Sequence, residues 1–373
     1  MSISEIDSER PLRVAVAPVD WGIGHATRSS VIVDALLQRG VEVVLAATGE
    51  PLLVLKRLFP GLETVPLPAW GIRYPTGVMA VDLAFQAPRI LAAIRAERGA
   101  ASRLVTSHRL DALISDGRLG FNAAGIPSVL VSHQLTLSAP NGLMRTAAAA
   151  LMRSRLERFD RIWVPDTPDQ RLSGGLSDAP PGCRLPTFIG PLSRLPVPGA
   201  VQAEPSDLLV VLSGPEPQRT NLERAIQTEL ASFRGRSVVV RGSLAPLAHS
   251  ASNMIPFAET EQLAGLVSGA GVVLCRSGYS TIMDVDRIGA RLILVPTPGQ
   301  TEQIYLADRL AHAGRAVVRP QDDLRLNEAM AEAMRLEKPE SVPDPGLLDA
   351  ALDDLLEAAR IVRRRTQRPG STS

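Results

Sequence analysis

Apolar runs of about four to eight residues, each closed by a polar or glycine-containing turn and followed by residues at helical spacing, recur along the whole chain. In the first half the runs cover 12–19, 41–47, 111–115, 126–131 and 161–165; in the second they cover 208–212, 237–241, 272–275, 292–296 and 316–319. Runs without polar alternation predict strands buried on both faces, as in a parallel sheet covered by crossover helices. Helical spacing fills the intervals at 29–38, 81–98, 140–159, 220–230, 304–313 and 347–364, and residues 52–70 read as helix, turn and strand. The pattern predicts an α/β chain with two Rossmann-like, doubly wound parallel sheets. Residues 166–207 interrupt it with Pro, Gly and Ser and carry the passage between domains. The expected organisation is a first domain at 11–190, a linker at 191–206, a second domain at 207–345 and a closing helix at 346–366.

In such sheets ligands gather beyond the carboxyl ends of the strands, where the N–H groups that open each helix point outward. The polar residues of this chain concentrate there. The first strand runs into a turn containing Gly22, Gly24 and His25, followed by Arg28. It is not a dinucleotide fingerprint, because Thr27 stands where the third glycine would be. The strand at 111–115 ends at Asp116, Gly117 and Arg118, and that at 126–131 ends at Ser132, His133 and Gln134. In the second half, Ser213 and Gly214 precede Arg219 at a helix start, although Pro215 and Pro217 remove donors from that loop. The densest stretch is 272–303, with Cys275, Arg276, Ser277 and Gly278 after one strand, Asp284 on the next helix, and Thr301, Glu302 and Gln303 after the following strand. One wall thus offers phosphate donors, a carboxylate for a diol and an acid–amide pair for hydroxyls. Residues 70–75 (WGIRYP) predict a surface loop that offers aromatics to an acceptor.

Composition narrows the partners. With 40 Lys and Arg against 39 Asp and Glu, no global field favours nucleic acid. Cys183 and Cys275 read as reduced thiols of a cytoplasmic protein, without zinc-ligand spacing. No apolar stretch reaches the length of a membrane span. Residues 140–159 combine Leu and Met with Arg145, Arg153, Arg155 and Arg158; they read equally as a helix lying on the inner, anionic membrane surface and as a domain helix with a solvated arginine face.

The turn Cys275-Arg276-Ser277-Gly278, the acid Asp284 and the loop ending in Gln303 resemble the donor signature of the two-domain GT-B glycosyltransferases. They are closest to family 28, which includes the enzyme that adds N-acetylglucosamine to lipid I. Gly22, Gly24 and His25 resemble the glycine-rich first turn of that family, and His133-Gln134 after Ile126-Pro127 resembles its later segment. One departure is Asp284, where the family usually has Glu, a side chain longer by about 1.5 Å. The resemblance implies two domains facing a cleft, with the last helix crossing back onto the first. It implies inverting transfer of a hexose or N-acetylhexosamine from a UDP-sugar to an unidentified acceptor, a lipid-linked one included.

The donor would be held by Ser213, Gly214, Arg219, Phe257, Ala258, Arg276, Ser277, Gly278, Asp284, Thr301, Glu302 and Gln303. The acceptor side would comprise Gly22, Gly24, Arg28, Arg118, His133 and Gln134. His25 is the candidate base, oriented by Asp116 and with His133 as its substitute. Neither a metal nor a cofactor is expected, since Asp284 and Asp286 sit at i and i+2 on a helix and point to different sides. A UDP-sugar epimerase of the same fold and a non-catalytic sugar-nucleotide-binding protein remain open as alternatives.

Overall fold

The computed structural model describes residues 10–71, 79–136, 142–196, 204–214, 216–242, 253–342 and 346–367. Two compact units emerge, one built from residues up to Leu192 together with the C-terminal helix, the other from Ser193–Pro343. The sequence places the passage at 191–206; the division between units falls at Leu192 and Ser193. Residues 72–75 of the WGIRYP loop, Pro140 and Asn141 of the arginine-rich segment, 197–203 of the linker and Pro215 lie outside the described residues.

In the first unit, β1 (Arg13–Pro18) leads through α1 (Ile23–Gln38) to β2 (Glu42–Ala47), and α2 (Gly49–Leu58) leads to β3 (Glu63–Pro66). Helix α3 (Met79–Ser107) then crosses to β4 (Ala112–Asp116) and β5 (Ser128–Val131). Helix α4 (Gly142–Leu156) precedes β6 (Arg161–Val164) and the short β7 (Thr187–Phe188). All strands are parallel, in the order β3-β2-β1-β4-β5-β6-β7. The order reverses direction between β1 and β4, and Pro18 stands in register with Asp116 at the carboxyl end of that pair. Strand β7 lies in a stretch that composition marks only as linker-like; an edge strand two residues long leaves no periodicity to read. Ala15, Ala17, Val44 and Ala46 pack with Ala101 and Leu104 of α3, which is why these strands are apolar on both faces.

The second unit repeats the plan. β8 (Ser206–Val211), α5 (Gln218–Leu230), β9 (Ser237–Val240), β10 (Met254–Ile255), α6 (Thr260–Gly269) and β11 (Ala270–Cys275) are followed by α7 (Tyr279–Ile288), β12 (Leu292–Leu294), α8 (Thr301–His312), β13 (Ala316–Val318) and α9 (Leu326–Ala333). The sheet is parallel, in the order β10-β9-β8-β11-β12-β13, and reverses between β8 and β11.

Met152 and Leu156 of the arginine-rich helix α4, with Phe159 just beyond, join Leu130, Ile162 and Val164 in the core. Leu151 is its exposed large apolar side chain among the described residues, and Arg153 pairs with Glu157 one turn on. No helix among the described residues is long and apolar enough to cross a membrane.

The C-terminal helix α10 (Leu347–Gln367) packs on α1 and β4 of the first unit. Leu352, Leu355 and Leu356 are fully buried, and the helical repeat puts them with Leu348 and Ala359 on one stripe. Its polar flank adds Asp349 and Asp353 to Arg39, while Arg363 reaches Asp111, which Arg10 also binds. Among the arginines near the end of α10, Arg363 is nearly buried, because Asp111 supplies a carboxylate at the edge of the sheet. Leu355→Ala should lower the unfolding free energy by about 2–5 kcal/mol, measured by urea denaturation. A loss under about 0.5 kcal/mol, the range of ordinary surface substitutions, would mean that α10 does not belong to the core of this unit.

Candidate functional site

At the point where the first sheet reverses, five side chains form one network. Gly22 takes φ +94°, a left-handed conformation that lets the chain turn from β1 into α1. His25 and Arg28 follow on the same face of the first turns of α1, three residues apart. Asp116 ends β4 and is fully buried. Gly117 follows it at φ +80°, and a Cβ there would come within 3.2 Å of the His25 ring, so glycine keeps room for the imidazole.

The Asp116 carboxylate accepts hydrogen bonds from Arg28 Nε at 2.8 and 2.9 Å, from Ser29 Oγ at 2.8 Å and from Arg28 Nη2. His25 Nδ1 lies 3.0 Å from Asp116 Oδ1. Burial alone would raise the carboxyl pKa; Arg28 and His25 outweigh it and hold Asp116 well below the usual carboxylate range. For His25, burial pushes the imidazole below its ordinary 6.5, Arg28 adds to that, and Asp116 opposes both. The ring is therefore neutral at pH 7. Nδ1 faces both the carboxylate and Arg28 Nη2, 2.9 Å away. In the tautomer whose Nδ1–H donates to Asp116, Nε2 keeps its lone pair. His25 is 19% exposed and Asp116 0%, so the imidazole is the member of this pair that reaches the surface.

Two arginines expected on the acceptor side are buried in the fold. Arg28, 2% exposed, is the counter-ion of Asp116 and also reaches His133 Nδ1 at 3.2 Å. A buried carboxylate without such a cation would be prohibitively costly. Arg118 is fully buried and donates to the carbonyls of Pro18 and Pro68 and to Glu97. Glu97 also accepts from Trp70 Nε1, and burial raises its pKa against the pull of Arg118. Trp70 is thus a core residue and not part of a surface loop; its indole N–H requires a buried acceptor. Trp21, 45% exposed, stands edge-on to it at 5.5 Å and is the aromatic presented to solvent in the β1–α1 loop. Gln134 is half-buried, and its backbone closes a turn on the Ser132 hydroxyl.

At the reversal of the second sheet, the starts of α5, α7 and α8 follow the ends of β8, β11 and β12. Arg276, 1% exposed, donates to the carbonyls of Val295, Pro296 and Gln218 and to the Gln321 amide, tying these loops together. Among the described residues no carboxylate pairs with it and its Nε has no partner; burial pushes its pKa down to about 10. Its terminal donors meet three backbone carbonyls and the Gln321 amide, and it places a buried positive charge behind the helix starts.

Ser277 is likewise buried, its hydroxyl donating to the Gln303 carbonyl at 2.7 Å, while Gln303 Oε1 accepts from the Thr297 N–H at 2.9 Å. These two hold the first turn of α8, leaving Gln303 its amide donors. Gly278 is the N-cap of α7, with open space where a Cβ would stand. Thr301 is exposed and Glu302 half-buried on that same turn of α8. Ser213 is half-buried and Gly214 exposed after β8. Arg219, expected to compensate for the prolines of that loop, pairs with Glu216 and donates to the Arg241 carbonyl, so its charge is already balanced. Phe257 is half-buried and Ala258 buried just after β10.

Asp284 accepts from Ser193 Oγ at 2.7 Å and from the Arg194 backbone; burial raises its pKa to about 6, with Ser193 and Arg194 pulling the other way. Sequence reasoning missed Ser193 and Arg194, which lie in a linker-like segment without a motif. Asp286 pairs with Arg315, so the two acids of the D-x-D spacing serve different partners. Among the described residues no group of three or more His, Cys, Asp or Glu is placed to hold a metal ion. Burial pushes the Cys275 thiol up to about 12, and it stays protonated.

Residues 233–342 match the glycosyltransferase family 28 C-terminal domain. A glycosyltransferase of Methanopyrus kandleri is 24% identical over 79% of this chain and 89% of its own. The UDP-N-acetylglucosamine--N-acetylmuramyl-(pentapeptide) pyrophosphoryl-undecaprenol N-acetylglucosamine transferase of Methylobacterium nodulans is 28% identical over 80% of this chain and 82% of its own. The glycotransferase of kitacinnamycin shares the fold with a TM-score of 0.60 at 18% identity, covering 96% of this chain and 98% of that one. A spinosyn rhamnosyltransferase does so with a TM-score of 0.58 at 17% identity, covering 95% of each. With two parallel α/β sheets of this topology and relatives aligned over most of their length, the chain is a glycosyltransferase of the GT-B fold that carries a family 28 C-terminal domain.

Proposed function

We propose that the protein is an inverting, metal-independent transferase that moves a hexose or N-acetylhexosamine from a UDP-sugar to an acceptor hydroxyl, with His25 as the base. The observation that carries the reading is the His25–Asp116–Arg28 network. Nε2 of His25 takes the proton of the acceptor hydroxyl while that oxygen bonds to the anomeric carbon and the bond to the UDP oxygen breaks. One displacement inverts the anomeric centre. Asp116 orients the ring and stabilises the imidazolium that forms, as the acid does in a catalytic triad. Trp21, four residues before His25 and braced by Trp70, offers an aromatic face to the acceptor. The leaving diphosphate meets the N–H groups that open α5, α7 and α8, with Ser213 and Gly214 beside them and the Arg276 charge behind.

Thr301, Glu302 and the Gln303 amide are left for sugar hydroxyls, and the backbone at Phe257 and Ala258 for the base. Asp284 exchanges the Ser193 hydroxyl for the ribose diol. A UDP-sugar donor is supported by the donor in the name of the Methylobacterium relative, whose acceptor is lipid-linked.

His25→Ala should lower kcat by ~10²–10⁴ with UDP affinity near wild type, and Asp116→Asn should lower it by less. Because burial and Arg28 depress the His25 pKa, the base stays neutral as pH falls past 6.5, and the acid limb of kcat/KM should lie below that value. An acid limb above 6.5, or an alanine variant at the wild-type rate, would remove His25 from the chemistry.

Asp284→Ala should weaken UDP about ten- to a hundredfold, the effect of a hydrogen bond to a charged group. With its pKa near 6, Asp284 binds the diol best above that pH, and calorimetric UDP affinity of the wild type should fall as pH drops through about 6. A folded variant with unchanged affinity at both ends of this range contradicts the assignment.

Turnover should survive EDTA. With UDP-sugar and no acceptor, neither epimerised sugar nor stoichiometric UDP should accumulate, whereas appearance of both would mark an epimerase.

A further inference from the structure

The first unit has a concavity at the edge of its sheet where strands begin, away from the strand ends near His25 and Asp116. It encloses about 480 Å³, within the ~300–1,000 Å³ of small-ligand sites. The segment between β4 and β5 forms one side, with Asn122 and Pro127 among its residues; Ala358 and Val362 of α10 form another, and Arg98, Arg158 and Arg161 lie on its rim.

The charges here are unevenly matched. Arg161 pairs with Asp354, and the carboxylate of Asp160, also on the wall, accepts the Ser128 N–H at 2.8 Å. Arg98 and Arg158 have no carboxylate partner among the described residues. Arg158 and Arg95 also lie close enough to Arg155 to depress its pKa beyond the effect of burial, and the buried Nε of Arg155 has no partner. Like charges gathered this closely repel one another until an anion is shared among them. Asn122 supplies an independent sign: it is 3% exposed, and its buried Nδ2 has no hydrogen-bond acceptor. An unmatched donor in the wall of a cavity rimmed by guanidinium groups is completed by an acceptor oxygen.

We propose that this cavity binds a phosphate group, with Arg98 and Arg158 as its planar, bidentate donors, Asn122 as a neutral donor, and Ala358 and Val362 against the carbon part of the ligand. The site is separate from the transfer chemistry.

The full chain, kept saturated with UDP to fill the anion sites of the second unit, would be titrated with inorganic phosphate by calorimetry at constant ionic strength. A parallel arm would measure cosedimentation with vesicles of phosphatidylglycerol and of phosphatidylcholine. The Arg98→Ala/Arg158→Ala variant should lose at least about tenfold in phosphate affinity, the effect of a single charge-assisted hydrogen bond. Ala358→Phe, which fills the cavity and leaves every charge in place, should lose a similar factor. Both variants should keep wild-type turnover. Binding to phosphatidylglycerol vesicles alone, abolished by both variants, would assign the phosphate to a lipid headgroup. Loss in the arginine variant with full affinity in Ala358→Phe would reduce the effect to surface charge and overturn the site, as would a wild type that binds neither phosphate nor vesicles.

Discussion

The buried ion pair of Asp116 and Arg28 is the constraint on which the first unit depends. A carboxylate at 0% exposure survives in ionised form only if a cation and hydrogen-bond donors surround it, and Arg28, Ser29 and His25 do so. All three lie on α1, so the pair fixes how that helix meets the end of β4. The imidazole then takes its place between a carboxylate and a guanidinium, and burial together with Arg28 holds its pKa below the ordinary value. The imidazole at the start of α1 is held in place by two buried neighbours.

The second unit uses the same sheet plan with the opposite charge at the corresponding place. Where β4 beside β1 ends in Asp116, β11 beside β8 is followed by Arg276, a buried cation without a carboxylate partner among the described residues. Its compensation comes from three carbonyl dipoles on two segments and one amide. Carbonyls orient a guanidinium but do not cancel its net charge, so a positive potential persists where three helices start. One unit is thereby suited to receive a proton and the other to receive an anion. These are the two demands of displacing a nucleoside diphosphate with a hydroxyl.

In both units the residues richest in donors act as scaffold. Arg28, Arg118, Arg276 and Ser277 are buried on partners of the protein itself, while Thr301 and the ring of Trp21 stay exposed. Binding a charged substrate through pre-oriented dipoles avoids immobilising long side chains when it arrives.

The apolar runs and their spacing determined the architecture, because strands buried on both faces and helices with one buried stripe leave a periodic trace in any order of folding. The strand ends also determined where chemistry gathers: His25 and Asp116 are far apart in the sequence, yet each follows a strand that must stand at the reversal of the sheet. Tertiary structure alone decided what each polar side chain does. Sequence places Arg28, Arg118, Arg276 and Asp284 at strand ends, but whether such a group faces a ligand or a buried partner depends on which distant residue arrives opposite it. Glu97 meets Arg118, Gln321 meets Arg276 and Ser193 meets Asp284 through contacts that carry no periodicity. The burial of Trp70 followed from the same cause: an indole is equally suited to a surface or a core, and the Glu97 acceptor beneath it settled the matter.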